Sequence, residues 1–393
     1  MKKLITSIMF LAISLTLFGS FDFFPENPAN NVDRTYSQIH IPFLSYEVNA
    51  NNSILRIEDM LMFQKGHLLT DSEKNILTSD DFILDFNVTT SFLNFGHKYW
   101  NFDFSLKAFG NDVEILDKMY SNLVFYGNDT NSPYISNTGE GSRVFSFWRA
   151  TLNYAFPKSI IFDDLGDLTL FLGANINLDY SMMYASIDES LQEFGSMDDS
   201  LYYHYRAHFK YTDERSVGRL TPSFGFGLKA KIFNGNLHAQ IDDIFMQLNF
   251  KNLGGGWYDK YYRNDLLYTD IDYESFEETI IEDDSTRVKN RYVKFNPSIT
   301  VGMDYMILNN LQIMVKYINN EHSYKNGFSF GGSYQPGNIP WQTVIGYDNN
   351  VFYEFKTGLI YDRFEWMSGV AFYHGFFRYG KGLGLNSSLM FKF

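Results

Sequence analysis

The chain carries eight histidines and 46 acidic residues, yet few stand at spacings that chemistry requires. His204 and His208 flank Arg206 in an alternating run. On a helix, an i, i+4 pair of this kind can hold one metal ion. On a strand the two rings stand ~13 Å apart at ~3.3 Å per residue, too far to share one ion. They read instead as polar residues on the inward face of a strand, lining the lumen. His40, His67, His97, His238, His322 and His374 show no ligand spacing. With no cysteine in the chain, thiolate-bound zinc, iron–sulfur clusters and disulfides are excluded. Residues 270–284 gather Asp270, Asp272, Glu274, Glu277, Glu278, Glu282, Asp283 and Asp284. Carboxylate oxygens attract hard cations, but this run lacks the glycine turn and spacing of a calcium loop. It reads as a solvated outer loop. Gly254-Gly255-Gly256-Trp257 lacks the Gly-Lys-Ser/Thr ending of a phosphate loop and reads as a flexible tip. No serine is singled out as a nucleophile. The chain therefore reads as a non-enzyme with no cofactor, no metal site and no catalytic residues.

The charges that do fall in register are Asp103, Lys107, Arg149, Asp179, Lys229, Lys231, Asp304, Lys316, Glu354 and Lys356. Each lies on the polar side of an alternating run. In 294–305, Phe295, Pro297, Ile299, Val301, Met303 and Tyr305 alternate with Asn296, Ser298, Thr300, Gly302 and Asp304. Successive side chains of a strand point to opposite faces, so one face meets an apolar medium and the other a polar one. Leu220, Phe224, Phe226 and Leu228 likewise alternate with Thr221, Ser223, Gly225 and Lys229. Leu170, Leu172, Ile176 and Leu178 alternate with Thr169, Asn175, Asn177 and Asp179. Comparable runs lie near 84–95, 100–108, 143–155, 201–211, 236–245, 310–318, 351–361, 363–373 and 383–393. Weaker ones at 38–48 and within 326–348 bring the expectation to about 14 strands, with 12 to 16 allowed. Many of these runs approach or exceed the ~9–11 residues that a tilted membrane strand needs.

Composition points the same way. There are 39 Phe, 28 Tyr and 5 Trp, against only 20% charged residues. Trp100, Tyr154, Tyr180, Tyr305, Tyr317, Tyr361 and Trp366 sit near the ends of the apolar faces, where rings meet lipid headgroups. A chain lying in lipid must satisfy its own backbone, so strands of this kind close into a barrel. Short turns are expected at Gly96-His97-Lys98, Asn234-Gly235, Asn309-Asn310 and Asp362-Arg363. Longer inserts fall at about 110–142, 186–199, 246–292 and 319–350. Helices are expected over 53–63, capped by Ser53, and over 113–125. The formal net charge of −14 speaks against nucleic acid as a partner. Met1-Lys2-Lys3, the apolar run Leu4 to Phe18, and Gly19-Ser20 form a secretory signal pattern over 1–20. Residues 21–393 are then one outer-membrane β-barrel, with 21–80 giving a plug, a first strand and a short helix. The inward rings Phe145, Phe147 and Phe171, with charges of both signs, imply a partly filled lumen.

The order of segments resembles an uncharacterised family of outer-membrane barrel proteins, a domain of unknown function. The resemblance rests on Asn27-Pro28-Ala29, on Ile39-His40-Ile41-Pro42-Phe43-Leu44-Ser45, on Ile57-Glu58-Asp59-Met60-Leu61 and on Leu123-Val124-Phe125-Tyr126-Gly127-Asn128. The early Asn-Pro-Ala is also similar to that of long-chain fatty-acid transport and PorV-type barrels. That similarity implies a 14-stranded barrel whose N-terminal segment plugs the lumen, with Asn27, Pro28 and Ala29 inside. The end of the chain, with Leu389, Phe391 and Phe393 on one face, resembles the signal read by the barrel insertion machinery. The expected partners are outer-membrane lipids, that machinery and an envelope protein. Two functions follow as expectations: a transport or channel barrel for an unknown solute, or a structural and docking component of an envelope or secretion complex.

Overall fold

The computed structural model describes residues 26–34, 36–63, 69–126, 134–137, 139–162, 168–197, 200–265, 276–281, 287–308, 310–320, 323–348, 350–361 and 363–393. The signal pattern of 1–20, His67, His322 and most of the acidic run lie outside them.

Fourteen antiparallel strands close on themselves. The circuit begins with a broken strand, Ser37–His40 and Tyr46–Asn52. It continues through Phe82–His97, Trp100–Leu116, Arg143–Ala155, Leu168–Met197, Leu220–Ile232 and Gly235–Ile244. Ser298–Leu308, Leu311–Asn319, Gly327–Tyr334, Trp341–Asp348, Asn350–Tyr361, Phe364–Tyr373 and Gly382–Lys392 complete it. Closure is direct: Gln38, Ile39 and His40 pair with Lys392, Phe391 and Met390. Ser37 and Phe393 also exchange two backbone hydrogen bonds of 2.9 Å. Among the described residues the barrel wall leaves no open edge, which is what a strand structure in lipid needs.

Side-chain direction follows the alternation. Leu220, Phe226, Phe328 and Tyr347 are 56–68% exposed on the outer surface, while the inward Ser223 and Asp179 are fully buried. Tyr317, Phe328 and Tyr347 stand side by side on three neighbouring strands as part of one aromatic belt. Trp100 pairs with Tyr154, and Tyr334 with Trp341, at the opposite end. This apolar outer face with ring belts is the surface of an outer-membrane barrel. No described helix is long and apolar enough to cross a membrane.

The two ends differ. Short links after His97, Ile232, Leu308 and Tyr361 share one end, together with Phe393. The long inserts share the other. There, Leu168–Met197 runs past the barrel rim and pairs with Ser200–Tyr211, which pairs in turn with Gln247–Asp265. The expected segment 201–211 is thus a strand of this outer sheet and not of the barrel wall. Gly327–Tyr334 and Trp341–Asp348, both within the weak 326–348 region, enter the wall instead. The triple glycine is also strand, not a flexible tip: Gly254, Gly255 and Gly256 pair with Tyr211, Lys210 and Phe209. Small residues there leave room for those larger neighbours. The helices begin later than expected. Ile57–Phe63 is preceded by Asn52, whose side chain accepts from the Ile54 and Leu55 amides, while Ser53 bonds the Asp81 carbonyl. Lys118–Tyr126 is helical, but Val113 to Leu116 stay in a strand because they still have a neighbour to pair with.

Candidate functional site: a two-chambered lumen

The lumen is built around a segment that enters it. Pro28–Asp33 is a 3-10 helix with Asn27 as its cap; the Asn27 side chain accepts from the Ala29 amide at 3.0 Å. Proline suits the first position of such a turn, since its missing N–H has no partner there anyway. Asn27, Pro28 and Ala29 are all buried. Asn27 donates to the Leu228 carbonyl at 3.0 Å, and Gln240 donates to the Glu26 carbonyl at 3.2 Å. The wall makes room with a pair of glycines in register, Gly173 and Gly227. A Cβ on Gly173 would come 2.5 Å from the Ala29 nitrogen; one on Gly227 would come 2.1 Å from Asn27 Oδ1. Two lysines hold the far end of the helix. Lys229 Nζ and Lys231 Nζ each reach one oxygen of Asp33 at 2.5 Å. Arg34 donates to the Trp100 carbonyl at 2.9 Å.

Below this segment, toward the short turns, lies a cavity of about 700 Å³. Asn94, Asn101, Asn153, Asn236, Gln312 and Gln342 are among its lining residues. Above it, toward the long inserts, lies a smaller cavity of about 140 Å³, adjoined by one of about 260 Å³ that shares Asn87, Phe109, Ser323 and Tyr324 with it. Phe109, Phe147, Met246, Phe295, Tyr324 and Tyr373 line the cavity of about 140 Å³ together with charged groups. Glu26 and Glu47 line both this cavity and the lower one.

The sequence-derived charges fall into separate groups. Arg149 and Asp179 are directly opposite on neighbouring strands and form a two-pronged pair at 2.7 and 3.2 Å, almost fully buried. Arg149 also reaches Asp243 at 2.7 Å. Glu354 and Lys356 meet at 3.4 Å, and Lys316 lies in the same field. Lys229 and Lys231 share Asp33. Asp304 accepts from His238, Asn236 and Gln312 at 2.7–2.8 Å. Asp103 accepts from Ser91 at 2.6 Å and from Asn94 at 3.1 Å. Lys107 lines the upper cavity. His204 and His208 are not in the lumen at all. His204 bonds Asp259 at 2.7 Å and His208 stacks on Trp257 at 4.9 Å, both in the outer sheet. At the chain end Phe391 packs on Phe364, and Phe393 on Phe95, both on the outer surface, while Leu389 pairs with Trp366.

Some lumen residues escaped the sequence reading. Asp242 and Asp243 both serve the lumen, although consecutive strand residues should point to opposite faces. A bulge explains it. Phe224 pairs with Ile244 but Phe226 with Ile241, and Asp243 adopts φ 58°. Asp243 then reaches Arg149, and Asp242 accepts from Asn177 at 3.3 Å. Two adjacent aspartates in an alternating run were the available signal. Lys325, from the loop before Gly327–Tyr334, reaches down to Glu354 at 2.7 Å and Glu47 at 3.0 Å. Burial alone would discharge Lys325, but Glu354 and Glu47 outweigh it and raise its pKa well above the usual lysine value. Nothing local in the sequence marks that contact.

No protein-family model and no curated protein matches the chain. Solved structures with a similar course include the Pseudomonas putida toluene transporter TodX, at 9% identity and TM-score 0.46, covering 96% of this chain and 95% of that one. The Ralstonia pickettii toluene transporter TbuX matches at 10% identity and TM-score 0.46, covering 93% and 92%. A Pseudomonas aeruginosa FadL homologue matches at 10% and 0.39, covering 94% and 91%. At these scores the likeness carries no argument about this chain; its fold rests on its own closed circuit of hydrogen bonds.

Proposed function

We propose that the protein is a transport or channel barrel whose lumen is partly occluded by its N-terminal segment, with Asn27, Pro28 and Ala29 acting as the plug. The single observation behind this reading is the seat of that segment: a glycine pair in the wall receives it, and Lys229 and Lys231 grip Asp33. Short charge-assisted bonds of this kind are stronger than neutral ones, yet they let go without disturbing the strand ladder. A plug held by side chains can move while the wall stays closed. Most of the inward charges are paired, Arg149 with Asp179 and Asp243, Lys229 and Lys231 with Asp33, and Glu354 with Lys325 and Lys356, which leaves the path to be set by the plug.

The test compares the wild type with Lys229→Gln/Lys231→Gln in planar bilayers and swelling liposomes. Loosening the grip on Asp33 raises conductance and swelling rate. Absence of permeation in both proteins counts against the channel. A docking role is the second reading, and the outer sheet of Leu168–Met197, Ser200–Tyr211 and Gln247–Asp265 favours it. Stable co-purification of one envelope protein, lost when that sheet is altered, would support docking instead.

A further inference from the structure

The chemistry of the lower chamber is specific enough to name a class of solute. It is lined by 28 residues, of which 11 are Asn or Gln. Not one is Leu, Ile, Val, Phe or Trp. A chamber for hydrocarbon or acyl chains would need the opposite lining, because apolar solutes gain by meeting apolar walls. An anion or cation chamber would need free charges of one sign. Here most charges are already engaged: Asp33 by Lys229, Lys356 by Glu354, Glu365 by Lys392, Asp304 by His238, and Glu47 by Lys325. What remains is a wall of amides; Asn94, Asn236, Gln312 and Asn386 each give one N–H to a carboxylate and keep their second N–H and their carbonyl. Each amide offers both donors and an acceptor, as does each hydroxyl of a polyol.

We propose that the lower chamber binds neutral polyhydroxyl solutes, of the mono- or small oligosaccharide class. This rests on the channel reading above. Amides come from separate strands around the wall: Asn101 and Asn153 side by side on one flank, Gln312 and Gln342 elsewhere in the circuit. A solute in the chamber can therefore bond several strands at once. The upper chamber has four asparagines among its 18 lining residues, but it sets them against Phe109, Phe147, Phe295, Tyr324 and Tyr373 in a smaller volume.

The test uses the full chain with Lys229→Gln/Lys231→Gln, reconstituted in planar bilayers, with glucose, maltose and raffinose as probes and benzyl alcohol and gluconate as controls. Sugars should reduce the ion current in a saturable way, and the two controls should not. Adding Asn153→Leu and Gln342→Leu should raise the half-blocking sugar concentration about tenfold, the size of two lost hydrogen bonds. Asn153→Gln with Gln342→Asn should restore part of the block. Mutual interchange of amides preserves the chemistry, so this separates recognition from a packing defect. A pore that conducts ions yet is blocked by benzyl alcohol or gluconate as readily as by sugar overturns the proposal and leaves the channel intact. A chain that conducts in no form overturns both.

Discussion

The two chambers share part of their wall, the strands Phe82–His97, Trp100–Leu116 and Arg143–Ala155, yet they hold different chemistry. The lower one is about 700 Å³ and amide-lined; the upper one is about 140 Å³ and mixes Phe109, Phe147 and Phe295 with Arg149, Asp243 and Lys325. The difference comes from what enters at each end. Tight turns close the strands below, so inward side chains there face open space. Above, the inserts return into the barrel. Met246, Leu248, Phe250 and Leu253 pack on Phe145, Phe147 and Tyr184 and form a small apolar core inside the rim. One alternating pattern therefore yields a solvated wall at one end and a packed interior at the other.

That contrast can be broken from the top most sharply. Arg149→Ala leaves Asp179 and Asp243 facing each other without their cation. Loss of one partner from a buried pair costs ~3–5 kcal/mol. The heat-modified gel shift of the folded barrel should move to markedly lower temperature. Phe147→Ala opens a void in the upper core, at a cost of ~3 kcal/mol. Urea unfolding followed by tryptophan fluorescence should report it, whereas Asn153→Leu in the lower chamber should leave the midpoint nearly unchanged. Gly173→Val tests the boundary between chambers. Its side chain occupies the place of Ala29, and overpacking of this kind costs ~1–3 kcal/mol. The expected result is release of the N-terminal segment, read as protease cleavage near Arg34 with the barrel still folded. Persistent protection would show that the segment does not depend on the glycine seat.

The smallest effect lies in the outer sheet. Removal of Asp213 from water would raise its pKa, but hydrogen bonds from Arg287 and Ser216 outweigh this and hold it below the usual carboxylate range. A depressed carboxylate contributes stability above its unfolded pKa, near 3.9, and that stability fades as pH falls through the lower folded value. Hydrogen exchange in 212–219, corrected for the intrinsic pH dependence of amide exchange, should therefore stay slow at pH 5 and quicken only below about pH 4. Asp213→Asn should quicken it at neutral pH by a few fold. A protection factor that does not change with pH would remove the Arg287 contact from the account.

The barrel was legible because alternation is a local property. The barrel, the outward belts and the inward place of Arg149 and Asp179 need only period two and a closed edge, whereas the count of 14 also needed the partners, since 201–211 leaves the wall and 326–348 supplies two strands. The wall position of 326–348 and the outer position of 201–211 were harder, because both segments alternate and only their partners differ. Asp243 was hidden by the bulge, since one extra residue turns a face that the simple period assigns elsewhere. Lys325 was hidden by distance: its partner Glu47 lies 278 positions away.

By itself, the sequence determined an all-β barrel with an apolar outside, a polar inside and unequal ends, because each strand carries its two solvents in its own alternation. Only the tertiary structure decided which inward groups meet. The grip of Lys229 and Lys231 on Asp33, the seat of Asn27, Pro28 and Ala29 against two glycines, and the division of the lumen into chambers all join residues from distant parts of the chain. Closure of the barrel brings such residues within bonding range, and no local pattern records where a closed wall will place them.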